Sequence, residues 1–154
     1  MTAIATGFYH SLLLKGDGSL WTMGENQYGQ LGDGSFINTN RPQQIVAGGV
    51  TAIAGSGHSL FIKTNGSLWG MGKNDSGQLG DQTVRELITP APIVAGGVVA
   101  IAAGEATSLF LKADGSLWGL DVYKRQTSRR STTRRGATAR SVISPLWPSN
   151  TNKN

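Results

Sequence analysis

The 154-residue chain has no cysteine, so disulfides and thiolate metal sites are excluded and the redox compartment stays open. Its only histidines are His10 and His58, too few for a histidine-based metal cluster. No run of about 18 apolar residues occurs, and no charged-then-apolar leader opens this fragment, so neither a membrane-spanning helix nor a signal peptide is expected. Charged residues make up 15% of the chain, and none of GxGxxG, the Walker pattern, GxSxG or HExxH is present. The carboxylates offer no acid/base pair: Asp17 and Asp114 sit in turn contexts, Asp33 and Asp81 share a loop position, and Glu25, Glu86 and Glu105 have no counterparts elsewhere in the chain. No enzyme chemistry, cofactor or metal is expected, and no membrane partner.

Glycine is abundant and unevenly spread. Of the 22 glycines, only Gly136 lies beyond residue 120. Charge divides at the same place. Residues 1–120 hold six basic side chains against eight acidic ones, whereas residues 121–154 hold eight basic side chains against Asp121 alone. The formal net charge of +5 therefore belongs to the last 34 residues, and the chain divides near residue 120.

Before that boundary the sequence repeats itself. "SLWTMGENQYGQLG" at 19–32 returns as "SLWGMGKNDSGQLG" at 67–80, and "SLWGL" at 116–120 begins a third copy. Trp21, Trp69 and Trp118 are in phase, as are His10, His58 and Thr107, which places the copies at about 2–50, 51–98 and 99–120. A period of nearly fifty residues marks a repeat architecture, whose units bury their faces against one another.

Each copy carries the local code of short antiparallel strands. "HSLFIK" (58–63) and "SLWGMG" (67–72) flank Thr64-Asn65-Gly66, and the other copies place Asp17-Gly18 and Asp114-Gly115 there. Asn-Gly and Asp-Gly supply the positive φ angles of a tight hairpin turn. Strands are also expected at Val50 to Ala54 and around Ala91 to Ala95. Glycines at 24, 29, 32, 34, 70, 72, 77 and 80 rule out helix, each costing about 1 kcal/mol there. Apolar residues on both strand faces (Leu60 and Ile62 on one, Phe61 on the other) require a sheet covered on both sides. The unit is a four-stranded sheet of the size of a propeller blade.

The combination of HSL, a DG or NG turn, SLW, a spaced asparagine and GQLG resembles repeats of the regulator of chromosome condensation family over residues 1–120. The resemblance implies an all-β fold, a partial β-propeller of about two and a half four-stranded antiparallel blades. It implies a non-enzymatic platform for a protein partner, or a guanine-nucleotide exchange factor for a small GTPase. Two and a half copies cannot close a ring, so the chain reads as a propeller fragment whose third copy leaves the strand positions after Trp118 unpaired. Such a fragment should be marginal or self-associating.

Positions shared by the copies read as structural: His10, Trp21, Asn26, Gln30, His58, Trp69, Asn74, Gln78 and Trp118. Asn26 and Asn74 are expected to bond nearby backbone, and Gln30 and Gln78 to tie the same loop. Positions that differ between copies are where partner specificity is written, in "SFINTNR" (35–41) against "TVRELIT" (83–89) and in the asparagine loop. The candidate partner contacts are Tyr28, Phe36, Arg41, Asp75, Arg85 and Glu86.

Residues 121–154 have little apolar content and no period, so a disordered tail is expected. A basic arm for nucleic acid or chromatin is one reading. Out-of-frame translation is another, and "DVYKRQ" at 121–126 resembles the translated end of a transposon used in preparing sequencing libraries. The break falls inside a strand, which favours a non-native tail and leaves nucleic acid unexpected as a partner.

Overall fold

The computed structural model describes residues 1–120 and, beyond them, the backbone of one strand, Ser144–Trp147. Three four-stranded antiparallel sheets follow one another. Blade 1 consists of β1 (Ala3–Thr6), β2 (His10–Leu14), β3 (Leu20–Gly24) and β4 (Thr39–Val46). Blade 2 repeats it with β5 (Val50–Gly55), β6 (His58–Lys63), β7 (Leu68–Gly72) and β8 (Leu87–Val94). Blade 3 contains β9 (Val98–Ala103), β10 (Ser108–Lys112), β11 (Leu117–Leu120) and β12 (Ser144–Trp147). Within each sheet, every strand pairs with the one before it in the chain.

The twofold alternation of strand side chains explains how blades stack. In β6, Leu60 and Ile62 point one way and Phe61 the other, and all three are buried. Phe61, Met71 and Val50 pack against Leu12, Leu14 and Leu20 of blade 1. Leu60, Ile62, Leu68 and Leu79 pack against Phe110, Leu120 and Val98 of blade 3. The cores therefore lie between sheets, and each fully buried Leu or Phe contributes about 1.5–3 kcal/mol.

The hairpin turns span the three residues expected between the strands, but the Asp or Asn of the Asp-Gly and Asn-Gly pairs does not take the positive φ expected of it. Lys15 N donates to Ser19 O at 3.0 Å and Gly18 N to Lys15 O at 3.0 Å, so Gly16, Asp17 and Gly18 form a three-residue loop. Only the glycine has positive φ, 79° at Gly18 and 77° at Gly66, the pattern of a type I turn closed by a left-handed glycine. The aspartate keeps negative φ because its carboxylate takes the amide and hydroxyl of Ser19, at 2.9 and 2.6 Å. A Cβ on Gly18 would also lie 2.7 Å from Gly49 N, so the neighbouring linker forbids any other residue.

A second correction concerns the third copy. The strand positions after Trp118 are paired: β12 joins β11 with Pro145 opposite Trp118 and Ser144 opposite Gly119. Pro92 stands opposite Trp69 in the same way in blade 2. Proline is admissible in both because each strand is the outermost of its sheet. Residues 144–147 thus depart from the expected unstructured tail, and blade 3 reaches four strands. The rest of 121–154, including the "DVYKRQ" join and the proposed basic arm, lies outside the described residues.

Because neighbouring strands are antiparallel, the loops β1–β2 and β3–β4 emerge at one end of a blade, with their counterparts in blade 2. The β2–β3 turns and the blade-to-blade linkers emerge at the other. The first end carries long loops, residues 25–38 and 73–86. The second carries short turns bonded in sequence across blades: Gly18 O accepts Val50 N, Gly49 O accepts Thr64 N, Gly66 O accepts Val98 N and Gly97 O accepts Ala113 N, all at 2.8 to 3.0 Å.

Candidate protein-interaction surface

Two buried amides build the long loops at the loop end. Asn26 accepts Leu31 N at 2.9 Å and donates to Asp33 at 2.9 Å and Ser35 O at 3.0 Å. Asn74 accepts Leu79 N at 2.9 Å and donates to Asp81 at 3.0 Å and Arg85 O at 2.9 Å. Both side chains are fully buried, so each loop is pinned at its middle by one residue with donor and acceptor in a single group. Gln30 and Gln78 act one turn away, accepting the amides of Tyr28 and Ser76 at 2.9 Å.

Beneath the loops, side chains cross between blades. His10 of blade 1 contacts Ser59 of blade 2 at 2.8 Å, and Ser59 donates back to Gln30 O of blade 1 at 2.8 Å. His58, Ser108 and Gln78 O repeat this at the next junction, at 2.7 and 2.6 Å. Since each serine spends its proton on the carbonyl, it accepts from the imidazole, which places the histidine proton on Nε2. Burial lowers the pKa of His10 from 6.5 to about 4, and burial together with the neighbouring His10 lowers that of His58 to about 4. Both imidazoles are neutral clamps at neutral pH. Thr107 replaces the histidine in blade 3 and reaches Leu120 O at 3.4 Å.

The loop end exposes aromatic and apolar side chains on this fixed frame. Phe8 and Tyr9 in the β1–β2 loop are 55% and 74% exposed, and Phe36 and Ile37 in the β3–β4 loop are 57% and 73% exposed. An open hollow of about 600 Å³ lies between the two loops, lined by Tyr9, Gly24, Glu25, Asn38, Thr39 and Asn40. At the junction with blade 2, Lys73 Nζ sits 5.3 Å from the Tyr28 ring and 3.4 Å from the Asp75 carboxylate. Among the sequence candidates, the structure joins Tyr28 and Asp75 through this lysine. Arg41, on β4, and Arg85 and Glu86, just before β8, are exposed without such a link. Phe8, Tyr9, Ile37 and Lys73 escaped the sequence reading. The one signal for the first two was the extra residue in "IATGFYHS" relative to "IAGSGHS", a length difference confined to a loop.

The turn end shows a contrasting unit repeated in all three blades. Trp21 Nε1 donates to Ser19 Oγ at 2.9 Å, and Ser19 Oγ donates to Asp17 at 2.6 Å. Trp69–Ser67–Asn65 gives 2.9 and 2.6 Å, and Trp118–Ser116–Asp114 gives 2.7 and 2.5 Å. Lys15, Lys63 and Lys112 lie 3.7, 3.9 and 4.7 Å over the three indoles. Hydrogen bonds from Ser19 and Ser116 hold the Asp17 and Asp114 carboxyls below their ordinary range. These carboxylates are committed to turn geometry. Among the described residues, no group of three or more His, Asp or Glu is placed to hold a metal ion, and no helix is long and apolar enough to cross a membrane.

Interlocked four-stranded sheets, a buried histidine clamp between them and a GQLG loop pinned by asparagine define a class of repeat propeller. The sequence matches the family model described as Regulator of chromosome condensation (RCC1) repeat over residues 17–62 and 65–111, and a second model of that description over residues 1–30 and 51–78. The chain belongs to the RCC1-repeat family. Its structure is similar to human WBSCR16, with a TM-score of 0.71 and 24% identity, covering 78% of this chain and 32% of that one. It is similar to Prp20p from Saccharomyces cerevisiae, described with its binding properties to Gsp1p and histones, with a TM-score of 0.72, 20% identity and coverage of 97% and 39%. It also resembles yeast RCC1 (Prp20) as seen with Kap60 bound, with a TM-score of 0.73, 21% identity and coverage of 97% and 37%. At these identities the likeness is one of fold, and the chain spans less than two-fifths of each of these proteins. No curated protein sequence matches it.

Proposed function

We propose that this chain is part of a non-enzymatic scaffold that binds a protein partner through the loop end of its blades. The observation that carries this reading is the placement of Phe8, Tyr9, Phe36 and Ile37. All four are more than half exposed, and all lie on loops that differ between copies, above a buried frame that does not. Exposed aromatic side chains on rigid supports lose little entropy on binding and are the usual anchors of protein interfaces. The similarity to Prp20p, described with its binding to Gsp1p and histones, supports a protein partner in kind.

The test uses the full-length protein with a partner identified by cross-linking. Replacing Phe8, Tyr28 and Phe36 together by alanine should weaken affinity by roughly tenfold or more. Replacing Lys15 and Lys63 at the turn end should leave it unchanged. Equal losses from both sets would overturn the assignment of the surface.

The same fold supports a second reading, nucleotide exchange on a small GTPase. Loops pressed against a GTPase would act by destabilising its bound nucleotide, so no covalent chemistry is needed. Release of a fluorescent guanine nucleotide, faster with the full-length protein than without it, separates exchange from scaffolding alone. Nucleic-acid or chromatin binding would depend on residues 121–154, since the described residues carry more acidic than basic side chains. Deleting 121–154 would abolish such binding.

A further inference from the structure

We infer that Asn65 is a site of spontaneous deamidation, and that the fold receives the aspartate product without rearrangement because blades 1 and 3 already hold it. Asn65-Gly66 is the one Asn-Gly pair in the chain. It lies at the tip of the β6–β7 hairpin, where the asparagine is exposed and the glycine has a φ of 77°. The other two hairpins carry Asp17-Gly18 and Asp114-Gly115 at the same place, with φ of 79° and 84° at the glycines. One molecule thus shows the amide and the acid in the same turn.

The reaction needs no co-reactant but water. The Gly66 nitrogen adds to Cγ of Asn65, and the side-chain nitrogen leaves as ammonia with the proton that the backbone amide gives up. A five-membered imide now joins the two residues. Water opens it at either carbonyl: breaking the bond from Gly66 N to Cγ leaves aspartate, whereas breaking the bond to the backbone carbonyl carbon leaves isoaspartate, whose backbone is one carbon longer. Two features of the turn admit the first step. Glycine has no Cβ to obstruct the approach of its own nitrogen to the preceding side chain. Asn65 Nδ2, the leaving nitrogen, makes no hydrogen bond among the described residues, since only Oδ1 is held, by Ser67 N at 3.0 Å and Ser67 Oγ at 2.6 Å. Gly66 N donates to Lys63 O at 2.8 Å, so ring closure waits for the exposed tip to fray.

Ser67 separates the products. Asp17 accepts Ser19 N at 2.9 Å and Ser19 Oγ at 2.6 Å, and Asp114 accepts Ser116 N at 2.9 Å and Ser116 Oγ at 2.5 Å. Asn65 accepts the same two donors, so an aspartate there keeps both bonds and makes them charge-assisted, which strengthens them. Lys63 stands two residues before the site, as Lys15 and Lys112 stand before Asp17 and Asp114, whose charged forms they favour. Isoaspartate has no such place. Its extra backbone carbon lengthens a loop whose Gly66 O is bonded to Val98 N of the next blade at 3.0 Å.

Incubating the folded 154-residue chain at mildly alkaline pH, then mapping tryptic peptides against an unincubated control, tests the site. Peptide 64–73 should gain the mass of an amide turned to acid, while peptides 16–63 and 74–85, which carry Asn26, Asn38, Asn40 and Asn74, stay unchanged. The folded chain should also give a larger share of aspartate over isoaspartate than a synthetic peptide of residues 64–73. Asn65→Asp should raise the urea midpoint at neutral pH, and the gain should shrink in a Ser67→Ala background, where the hydroxyl donor is gone. No mass gain in peptide 64–73 overturns the site. Equal product shares in chain and peptide, a lowered midpoint for Asn65→Asp, or a gain undiminished by Ser67→Ala overturns the part assigned to the fold.

Discussion

At the turn end of the blades, Trp21, Trp69 and Trp118 each donate through a serine to Asp17, Asn65 or Asp114, under a lysine that covers the indole. At the loop end, Asn26 and Asn74 pin segments of similar length whose outer side chains are unalike. One end repeats its surface as well as its frame, and the other repeats only the frame. A scaffold gains from that division, because the invariant end fixes blade geometry while the variable end changes what it presents without disturbing the fold.

Acid should separate the two ends most strongly. His10 and His58 have folded pKa values depressed from 6.5 to about 4. Their contribution is fully present above pH 6.5 and is lost as pH falls to about 4, because the unfolded chain takes up the protons first. The linkage amounts to roughly 3 kcal/mol per histidine. The Asp17 and Asp114 carboxyls are also depressed, from 3.8, so what they contribute is lost only below that pH. Urea unfolding at a series of pH values should show a decline between 6.5 and 4 that flattens in a His10→Gln, His58→Gln variant. An unchanged decline in that variant would break the assignment.

Asn74→Ala should be the next largest effect. It strands the buried Leu79 amide and the acceptors at Asp81 and Arg85 O, for a loss of about 3 kcal/mol, measured as a shift in urea midpoint. Ser67→Ala at the turn end removes the acceptor of the half-buried Trp69 indole and should cost about 1 kcal/mol. Smallest of all, Phe36→Ala should change stability by less than about 0.5 kcal/mol, since the ring is mostly exposed. A large thermal shift from Phe36→Ala would mean that the ring packs rather than presents, and the contrast between the two ends would narrow.

Much of the fold was legible in the chain because a repeat states its own rules more than once. The in-phase tryptophans located the blades, and the two-faced apolar pattern of "HSLFIK" announced a sheet covered on both sides. The sign of φ at Asp17 was not legible, because Asp-Gly fits turns with either sign at the aspartate. The choice lies in where the Asp17 carboxylate finds its donors. The surface was half legible. Loop variation pointed to Tyr28, Phe36 and Asp75, but the lysine joining Tyr28 to Asp75 comes from the next blade, 45 residues after the tyrosine. The strand at 144–147 carried no period, and its pairing with β11 depends on an open edge that only the assembled sheet provides.

Strand positions, hairpins, blade repeat and the division near residue 120 follow from the sequence by itself, because alternation and glycine placement are local constraints that each copy obeys independently. The His10–Ser59–Gln30 and His58–Ser108–Gln78 relays and the placing of Lys73 beside the Tyr28 ring were decided only by the tertiary structure. Each depends on contacts between blades. Such contacts are set by how sheets stack, which no single repeat encodes.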